Sequence, residues 1–285
     1  NGYWLKLRRP RWTDGVKRLV QLGIPGVIAG GITQLNILIG TIIASMQNGA
    51  VSHLYYADRI YELPLAIVGI AIGVVLLPDV SRHLRAGNTA AVMDSQNRSF
   101  EFAMLLTIPA AVALATIPYE LVSVLFERGA FTAADTPYTA AALAIFAFGL
   151  PSFVLIKVFS PAFFAREDTK TPMRYAAISL TANTAGSVAL FFLFRSLGWM
   201  PHVGIALATT LGGWLNAYLL WHGLADHGHF VADARLKRAL PRILVASLIM
   251  AGALWFVSAF LAPWLSAGSS VLVRFSALGL LVGAG

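Results

Sequence analysis

The stretch YYADRIYELPLAIVGIAIGVVLLP, residues 55–78, decides the fold of this chain. Its second part, residues 65–77, contains no charged residue. A bilayer core about 30 Å thick is crossed by about 20 apolar residues in helical form. The stretch therefore predicts a membrane-spanning helix over residues 54–78. The three charged residues at its head, Asp58, Arg59 and Glu62, need an explanation of their own.

The whole chain has the composition of a membrane protein. Its 285 residues are 58% hydrophobic and 12% charged, with a mean hydropathy of +0.72. Soluble domains carry roughly 25% charged residues. Eight apolar runs follow one another, and no segments of alternating polarity typical of a membrane barrel occur. The runs are 19–46, 54–78, 99–118, 137–163, 173–197, 202–224, 240–264 and 270–285. We predict an all-α polytopic membrane protein with about eight transmembrane helices.

The lysines and arginines predict the orientation of these helices, because cytoplasmic loops carry an excess of both. Of the 21, 16 lie before the first span or after an even-numbered one, three lie on the opposite side and two lie within spans. The 16 are Lys6, Arg8, Arg9, Arg11, Lys17, Arg18, Arg82, Arg85, Arg98, Arg166, Lys170, Arg174, Arg235, Lys237, Arg238 and Arg242. We expect the N-terminus to be cytoplasmic. The net charge of +8 then needs no nucleic acid partner.

Several classes of function are excluded or disfavoured by what the sequence lacks. Without cysteine, a disulfide framework and a thiol nucleophile are excluded. The spacing of His222, His227 and His229 matches no metal motif, and no phosphate loop or hydrolase motif occurs. We expect no metal site and no enzyme. The chain begins at Asn1 and stops within an apolar run, so we expect a segment of a longer membrane protein.

Asp58, Arg59 and Glu62 are the leading candidates for a binding site. On a helix, Asp58 and Glu62 share a face, and Arg59 can meet Glu62 one turn later. Charged groups in spans generally face a cavity or one another. One interpretation is a self-neutralised anchor at the membrane interface. The other is a cavity in which Arg59 binds an anionic substrate while the carboxylates hold its side chain, since the planar guanidinium suits phosphate.

Two further sets of polar groups lie within predicted spans. Lys157 is placed in the fourth span, where we interpret it as a second cation that faces a cavity rather than one that snorkels to the interface. Uncharged polar residues either bind helices together by hydrogen bonds or ligate a cation. Asn36, Asn183 and Thr209 are the candidates for the second role. The segment YELVSVLFERGAFTAAD, residues 119–135, predicts a short amphipathic helix on the outer surface.

Three stretches together carry a family resemblance: residues 55–78, LFERGAFTAADT at 125–136 and KVFSPAFFAREDTKTP at 157–172. They resemble the MurJ/MviN family of lipid II flippases, within the multidrug/oligosaccharidyl-lipid/polysaccharide exporter superfamily. The resemblance implies helices seven to fourteen of a fourteen-helix transporter. Residues 1–230 would form the second six-helix lobe, and residues 231–285 the two additional C-terminal helices, the last one truncated.

The resemblance also implies a function. Family members move the undecaprenyl-pyrophosphate-linked peptidoglycan precursor, lipid II, from the cytoplasmic to the periplasmic leaflet of the bacterial inner membrane by alternating access. The arginine of the family's ADR sequence, here Arg59, lines the central cavity, and a monomer completed by the N-terminal lobe is expected. Some relatives bind sodium through a carboxylate that the first span here lacks, so the membrane potential is the alternative drive. An exporter of another lipid-linked oligosaccharide, such as O-antigen, or of drugs is the alternative function.

Overall fold

The computed structural model describes residues 13–265 and 270–283, and the regular elements in these ranges are helices. Each apolar run of the sequence becomes one helix, and a short helix follows the third run. The helices are α1 (Asp14–Ala44), α2 (Ala50–Arg85), α3 (Thr89–Thr116), α4 (Pro118–Phe126), α5 (Thr136–Phe164), α6 (Lys170–Ser196), α7 (Pro201–Asp226), α8 (Ala234–Leu265) and α9 (Val271–Gly283).

Six of these helices are long and apolar enough to cross a membrane: α2, α3, α5, α6, α7 and α8. Two further apolar segments are shorter, Gln34–Ala44 within α1 and Val271–Gly283 in α9. In a bilayer the backbone groups must be satisfied inside each segment, which helices do. The predicted all-α membrane fold is confirmed, and its helices extend several residues beyond most of the predicted spans.

Helix α5 is the central element of the bundle. It packs against α2, α3 and α7, while α6 covers α7 and α1 covers α6. Small residues bring α5 and α7 close together: a Cβ atom added to Gly213 would lie 2.6 Å from Ser152 Oγ. Ser152 is itself buried and donates its hydroxyl to Gly149 O. Such close approach is how helices pack where lipid removes the hydrophobic drive for association.

Helix α1 is joined to the rest by polar contacts at three levels. Arg18 forms an ion pair with Glu167 in the α5–α6 loop, and Asn183 on α6 donates a hydrogen bond to Asn36. At the other end, Gln47 accepts a hydrogen bond from the backbone N–H of His202, at 3.0 Å. Several apolar side chains of α1 between these contacts are exposed, while Ile43 and Ala44 near its C-terminal end are buried in a small cluster with Phe191. Polar contacts and this cluster together hold the helix.

The start of α2 is fixed by a glycine and a buried histidine. Gly49 precedes α2 with φ of +77°, a left-handed conformation that glycine adopts without steric cost. The ring of His53 lies against it, and an added Cβ would be 2.9 Å from His53 Cε1. This turn sets the direction in which α2 leaves α1, and therefore the direction of the charged residues that follow.

The short helix predicted after the third span is present as α4, and its surroundings differ from those expected. Leu121, Val122 and Val124 are buried, because α4 packs against α5 and α9 rather than lying on an open surface. Helix α8 packs against α3, and α9 packs against α8 and α4. The division into residues 1–230 and 231–285 stays a prediction.

Candidate functional site: the charged face of α2

Arg59 lies on α2 between two carboxylates and an aromatic ring. One terminal nitrogen is 3.1 Å from Asp58 Oδ2, and the other is 2.9 Å from Glu62 Oε2. The guanidinium carbon lies 5.0 Å from the centroid of the Tyr55 ring, within the range of a cation–π contact. Two carboxylates for one guanidinium leave the cluster with an excess of negative charge, which opposes the approach of an anion.

The three charged side chains are half-exposed on the bundle surface. The exposed fractions are 49% for Arg59, 36% for Asp58 and 47% for Glu62. An arginine offers five N–H donors in a planar fork, and two carboxylate contacts leave others available. The site can therefore hold an arginine in a defined orientation and still present donors to an oxyanion. This arrangement suits a phosphate better than a neutral ligand.

The face of α2 that carries Arg59 continues toward the C-terminal end of the helix. Residues at spacings of three and four lie on one side of a helix, and this places Glu62, Ala66 and Gly69 in line with Arg59. Glu62 and Ala66 are exposed, and Gly69 is partly exposed. The same side of α2 also carries exposed apolar side chains such as Ile70. This strip, Arg59–Glu62–Ala66–Gly69, is called the α2 face below.

Lys157 comes from α5 and reaches the α2 face at Gly69. A Cβ atom added to Gly69 would lie 2.5 Å from Lys157 Cδ and 3.6 Å from its Nζ. The lysine side chain is exposed. Ten residues of helix rise by about 15 Å, so Lys157 and Arg59 cannot contact one phosphate together. The structure places both predicted cations at the α2 face and separates them along it.

The candidate cation ligands are only partly brought together. Asn183 donates to Asn36, and Asn183 Oδ1 accepts from Ser187 Oγ at 3.3 Å. Thr209, on α7, is half-buried, and its side chain makes no hydrogen bond within the described part of the chain. The two asparagine oxygens are thus already engaged by N–H and O–H donors. This geometry suits a helix-joining contact between α1 and α6 better than a set of free oxygen ligands.

One polar cluster that the sequence did not suggest supports the N-terminal end of the site helix. His53 Nε2 on α2 lies 3.1 Å from Asp135 Oδ1. The His53 ring stacks on the ring of Tyr138, with 5.3 Å between the ring centroids. Asp135 also accepts hydrogen bonds from the backbone and side chain of Thr132, each at 2.8 Å. These donors, the Thr132 backbone first, lower the pKa of Asp135 to about 2. The cluster joins α2 to the beginning of α5.

Comparisons with known proteins identify the family. The family described as lipid II flippase MurJ matches residues 2–276. A probable lipid II flippase MurJ of Rhizobium tropici is 47% identical over 281 residues, 99% of this chain and 52% of the relative. The lipid II flippase MurJ of Burkholderia cenocepacia is 35% identical over 250 residues, 86% of this chain and 46% of the relative. The chain thus spans about half the length of the curated relatives it matches.

Solved structures agree on the fold. A lipid II flippase MurJ in an inward closed conformation matches with a TM-score of 0.70 at 23% identity, over 97% of this chain and 54% of that one. An outward-facing multidrug resistance MATE family transporter matches with a TM-score of 0.59 at 16% identity, over 96% and 63%. The family match over residues 2–276 favours the lipid II flippases over the multidrug transporters. On that match, the chain is a multi-pass membrane protein and belongs to the lipid II flippase MurJ family.

Proposed function

We propose that this chain is part of a lipid II flippase, a transporter rather than an enzyme, and that Arg59 binds the pyrophosphate of the lipid-linked precursor. The precursor would pass from the cytoplasmic to the periplasmic leaflet of the inner membrane by alternating access. One observation carries the proposal: a half-exposed arginine within a membrane-spanning helix, held between two carboxylates with N–H donors to spare. Family membership supplies the transported class.

The energetic cost of the arginine supports a functional role for it. Insertion of a central arginine into lipid costs about 2.5 to 3.5 kcal/mol, so such residues face protein, water or a ligand. The two adjacent carboxylates lower that cost in the absence of substrate. A pyrophosphate carries more negative charge than either carboxylate and accepts two parallel hydrogen bonds from one guanidinium. Asp58 and Glu62 would therefore hold Arg59 between transport events and give way to the substrate.

We infer that the membrane potential drives the cycle rather than a bound monovalent cation. The engaged oxygens of Asn36 and Asn183 support this choice, as does the absence of a carboxylate from residues 19–46. A potential of 100 mV supplies about 2.3 kcal/mol for each charge moved across the membrane. The lysine and arginine distribution supports a cytoplasmic N-terminus for this segment, and the remainder of a monomeric transporter would complete the cavity.

The experiment that tests the proposal is complementation of a bacterium depleted of its own flippase. The full-length gene is supplied as wild type, Arg59→Ala or Arg59→Lys. We expect Arg59→Ala to fail while its membrane level stays normal, and Arg59→Lys to restore growth partly, because lysine keeps the charge and loses the planar fork. Arg82→Ala is the matched control, because Arg82 is another exposed arginine on α2 and forms an ion pair with Asp79.

Growth supported by Arg59→Ala at the wild-type level would overturn the central role of this residue. Binding measurements separate the alternative function. Purified protein that binds drugs or O-antigen-type lipids and shows no affinity for lipid II would place the chain with the other exporters of the superfamily. Binding of lipid II that weakens on Arg59→Ala would support the flippase.

A further inference from the structure

The contact between Gly69 and Lys157 has a geometry that only glycine allows. The aliphatic part of the lysine lies where a side chain at residue 69 would begin, with Cδ at 2.5 Å and Cε at 2.9 Å from the added Cβ. Both distances are shorter than any ordinary carbon–carbon contact. The lysine stem therefore crosses α2 over the bare backbone of Gly69, and any larger residue would push it aside.

The crossing directs the ammonium of Lys157 onto the side of α2 that bears Arg59. Lys157 belongs to α5, and its neighbours Val158 and Phe159 are buried in the core. Its own side chain is exposed, and no carboxylate forms an ion pair with it anywhere in residues 13–265 and 270–283. An unpaired ammonium within a membrane-spanning helix is costly unless it faces water or an anion. Arg59, by contrast, is held by two carboxylates.

The two cations differ in position and in availability. Arg59 lies toward the outer end of α2, and Lys157 meets the α2 face about 15 Å further along the helix axis. An anionic group that contacts one cannot contact the other at the same time. A headgroup that moves along this face meets an unpaired lysine at one position and a carboxylate-held arginine at the other.

We propose that Gly69 is a positioning residue that places Lys157 as a second binding position for the anionic headgroup, used in succession with Arg59. The inference rests on the proposed function, because that function supplies an anionic group that travels across the membrane. Gly69 acts only through Lys157: it makes room for the lysine stem and presents no chemical group of its own. A methyl group at residue 69 would remove the second position while leaving Arg59 in place.

The test is a double-mutant cycle in the full-length protein, read out as transport of fluorescent lipid II in proteoliposomes. The variants are Gly69→Ala, Lys157→Met and the pair. We expect each single variant to slow transport by about tenfold, the effect of losing one charge-assisted hydrogen bond. The pair should be no slower than Lys157→Met alone, because the glycine has no role once the lysine is gone. Gly252→Ala is the control, since an added Cβ there meets no atom within 4 Å.

A second measurement follows the lysine without using the substrate. Amine acetylation of the purified protein is quantified by mass spectrometry at Lys157, with Lys170 as the internal reference. Gly69→Ala should change the modification of Lys157 at least threefold relative to Lys170, and Gly252→Ala should not.

The outcomes separate the two proposals. If Gly69→Ala transports at the wild-type rate, or slows the Lys157→Met variant as much as it slows the wild type, the positioning role is wrong. If the wild type does not transport lipid II while acetylation of Lys157 still responds to Gly69→Ala, the proposed function is wrong and the positioning of the lysine stands. Equal acetylation of Lys157 in the wild type, Gly69→Ala and Gly252→Ala would also overturn the inference.

Discussion

Arg59 and Glu62 lie one helical turn apart on α2, with 2.9 Å between a guanidinium nitrogen and a carboxylate oxygen. The contact is exposed on one side and shares its arginine with Asp58. The guanidinium keeps N–H donors for a further anion, while the negative charge of the two carboxylates repels that anion. If Arg59 binds a pyrophosphate as proposed, the two carboxylates would oppose that binding and so limit its strength.

Replacing Glu62 with glutamine should tighten binding of the anionic headgroup and slow its release. An exposed ion pair contributes up to about 1 kcal/mol, so affinity should rise by up to about fivefold. Binding of a polyprenyl pyrophosphate to the purified full-length protein, by calorimetry, measures the effect. Asp226→Asn is the control, because Asp226 is another exposed helix carboxylate, one that contacts His222. Weaker binding by Glu62→Gln would show that the carboxylate helps the substrate instead of competing with it.

Asp135 should make stability depend on pH in the acid range. Its pKa in the folded protein is about 2, below the ordinary value of 3.8. A carboxylate with a lowered pKa stabilises the fold above its unfolded pKa, and this contribution is lost as pH falls from about 4 to about 2. Asp135→Asn should therefore cost about 1 kcal/mol at neutral pH, a value kept low because the side chain is one-third exposed. Thermal unfolding of both proteins between pH 7 and pH 3 should show their difference shrinking toward pH 3.

The buried amide of Asn97 should hold the beginning of α8 on α3. Its Nδ2 donates to Val231 O at 2.9 Å, and its Oδ1 accepts from the Asp233 backbone N–H at 3.0 Å. Asn97→Ala leaves two backbone groups without partners, which costs about 1 to 3 kcal/mol for each such group. We expect faster trypsin cleavage at Arg235 in this variant. Asn88→Ala, which removes an exposed helix cap, is the control; equal cleavage rates in the two variants would contradict the role of Asn97.

Arg274 should dock α9 onto α4. The buried guanidinium donates from one nitrogen to Ser123 O at 2.9 Å and to Ser123 Oγ at 2.7 Å. Arg274→Met keeps the apolar stem and removes both donations to Ser123, whose carbonyl then keeps only its bond from the Glu127 backbone N–H at 3.1 Å. The N-terminal part of α9 should therefore separate from α4. Hydrogen exchange of α4 amides, measured by mass spectrometry, should increase by about tenfold, in line with a loss of about 1.4 kcal/mol. Unchanged exchange would show that apolar packing alone docks α9.

The parts of the fold and site that sequence could predict are those set by local pattern. Apolar runs place the spanning helices, since length and hydropathy suffice for that. The contact of Arg59 with Glu62 follows from helical spacing alone. Gly69 and Lys157 are 88 residues apart, and His53 and Asp135 are 82 apart. Their meeting depends on the register in which α2 crosses α5, which no periodicity within either helix specifies.

The surroundings of α4 show the same limit. Its alternation of apolar and charged residues is what an interfacial helix would have, and the sequence alone gives no reason to place another helix over it. Helix α9 covers α4 and is held there by Arg274. The sequence around Arg274 is typical of the end of a membrane span. The contact of Asn97 is likewise not predictable from sequence, because one asparagine next to the charged Arg98 gives no sign that it bonds a loop 134 residues away.

The glycine-lined crossing of α5 and α7 has a mechanical consequence. Because Gly213 and Ser152 approach more closely than any side chain would permit, the two helices cannot slide along each other without first separating. Helix α1, by comparison, is held by a few hydrogen bonds, one exposed ion pair and a small apolar cluster at its C-terminal end, where Ile43 and Ala44 lie with Phe191. We therefore expect α5 and α7 to travel as one stiff unit during any change of conformation, with α1 bending or swinging against it.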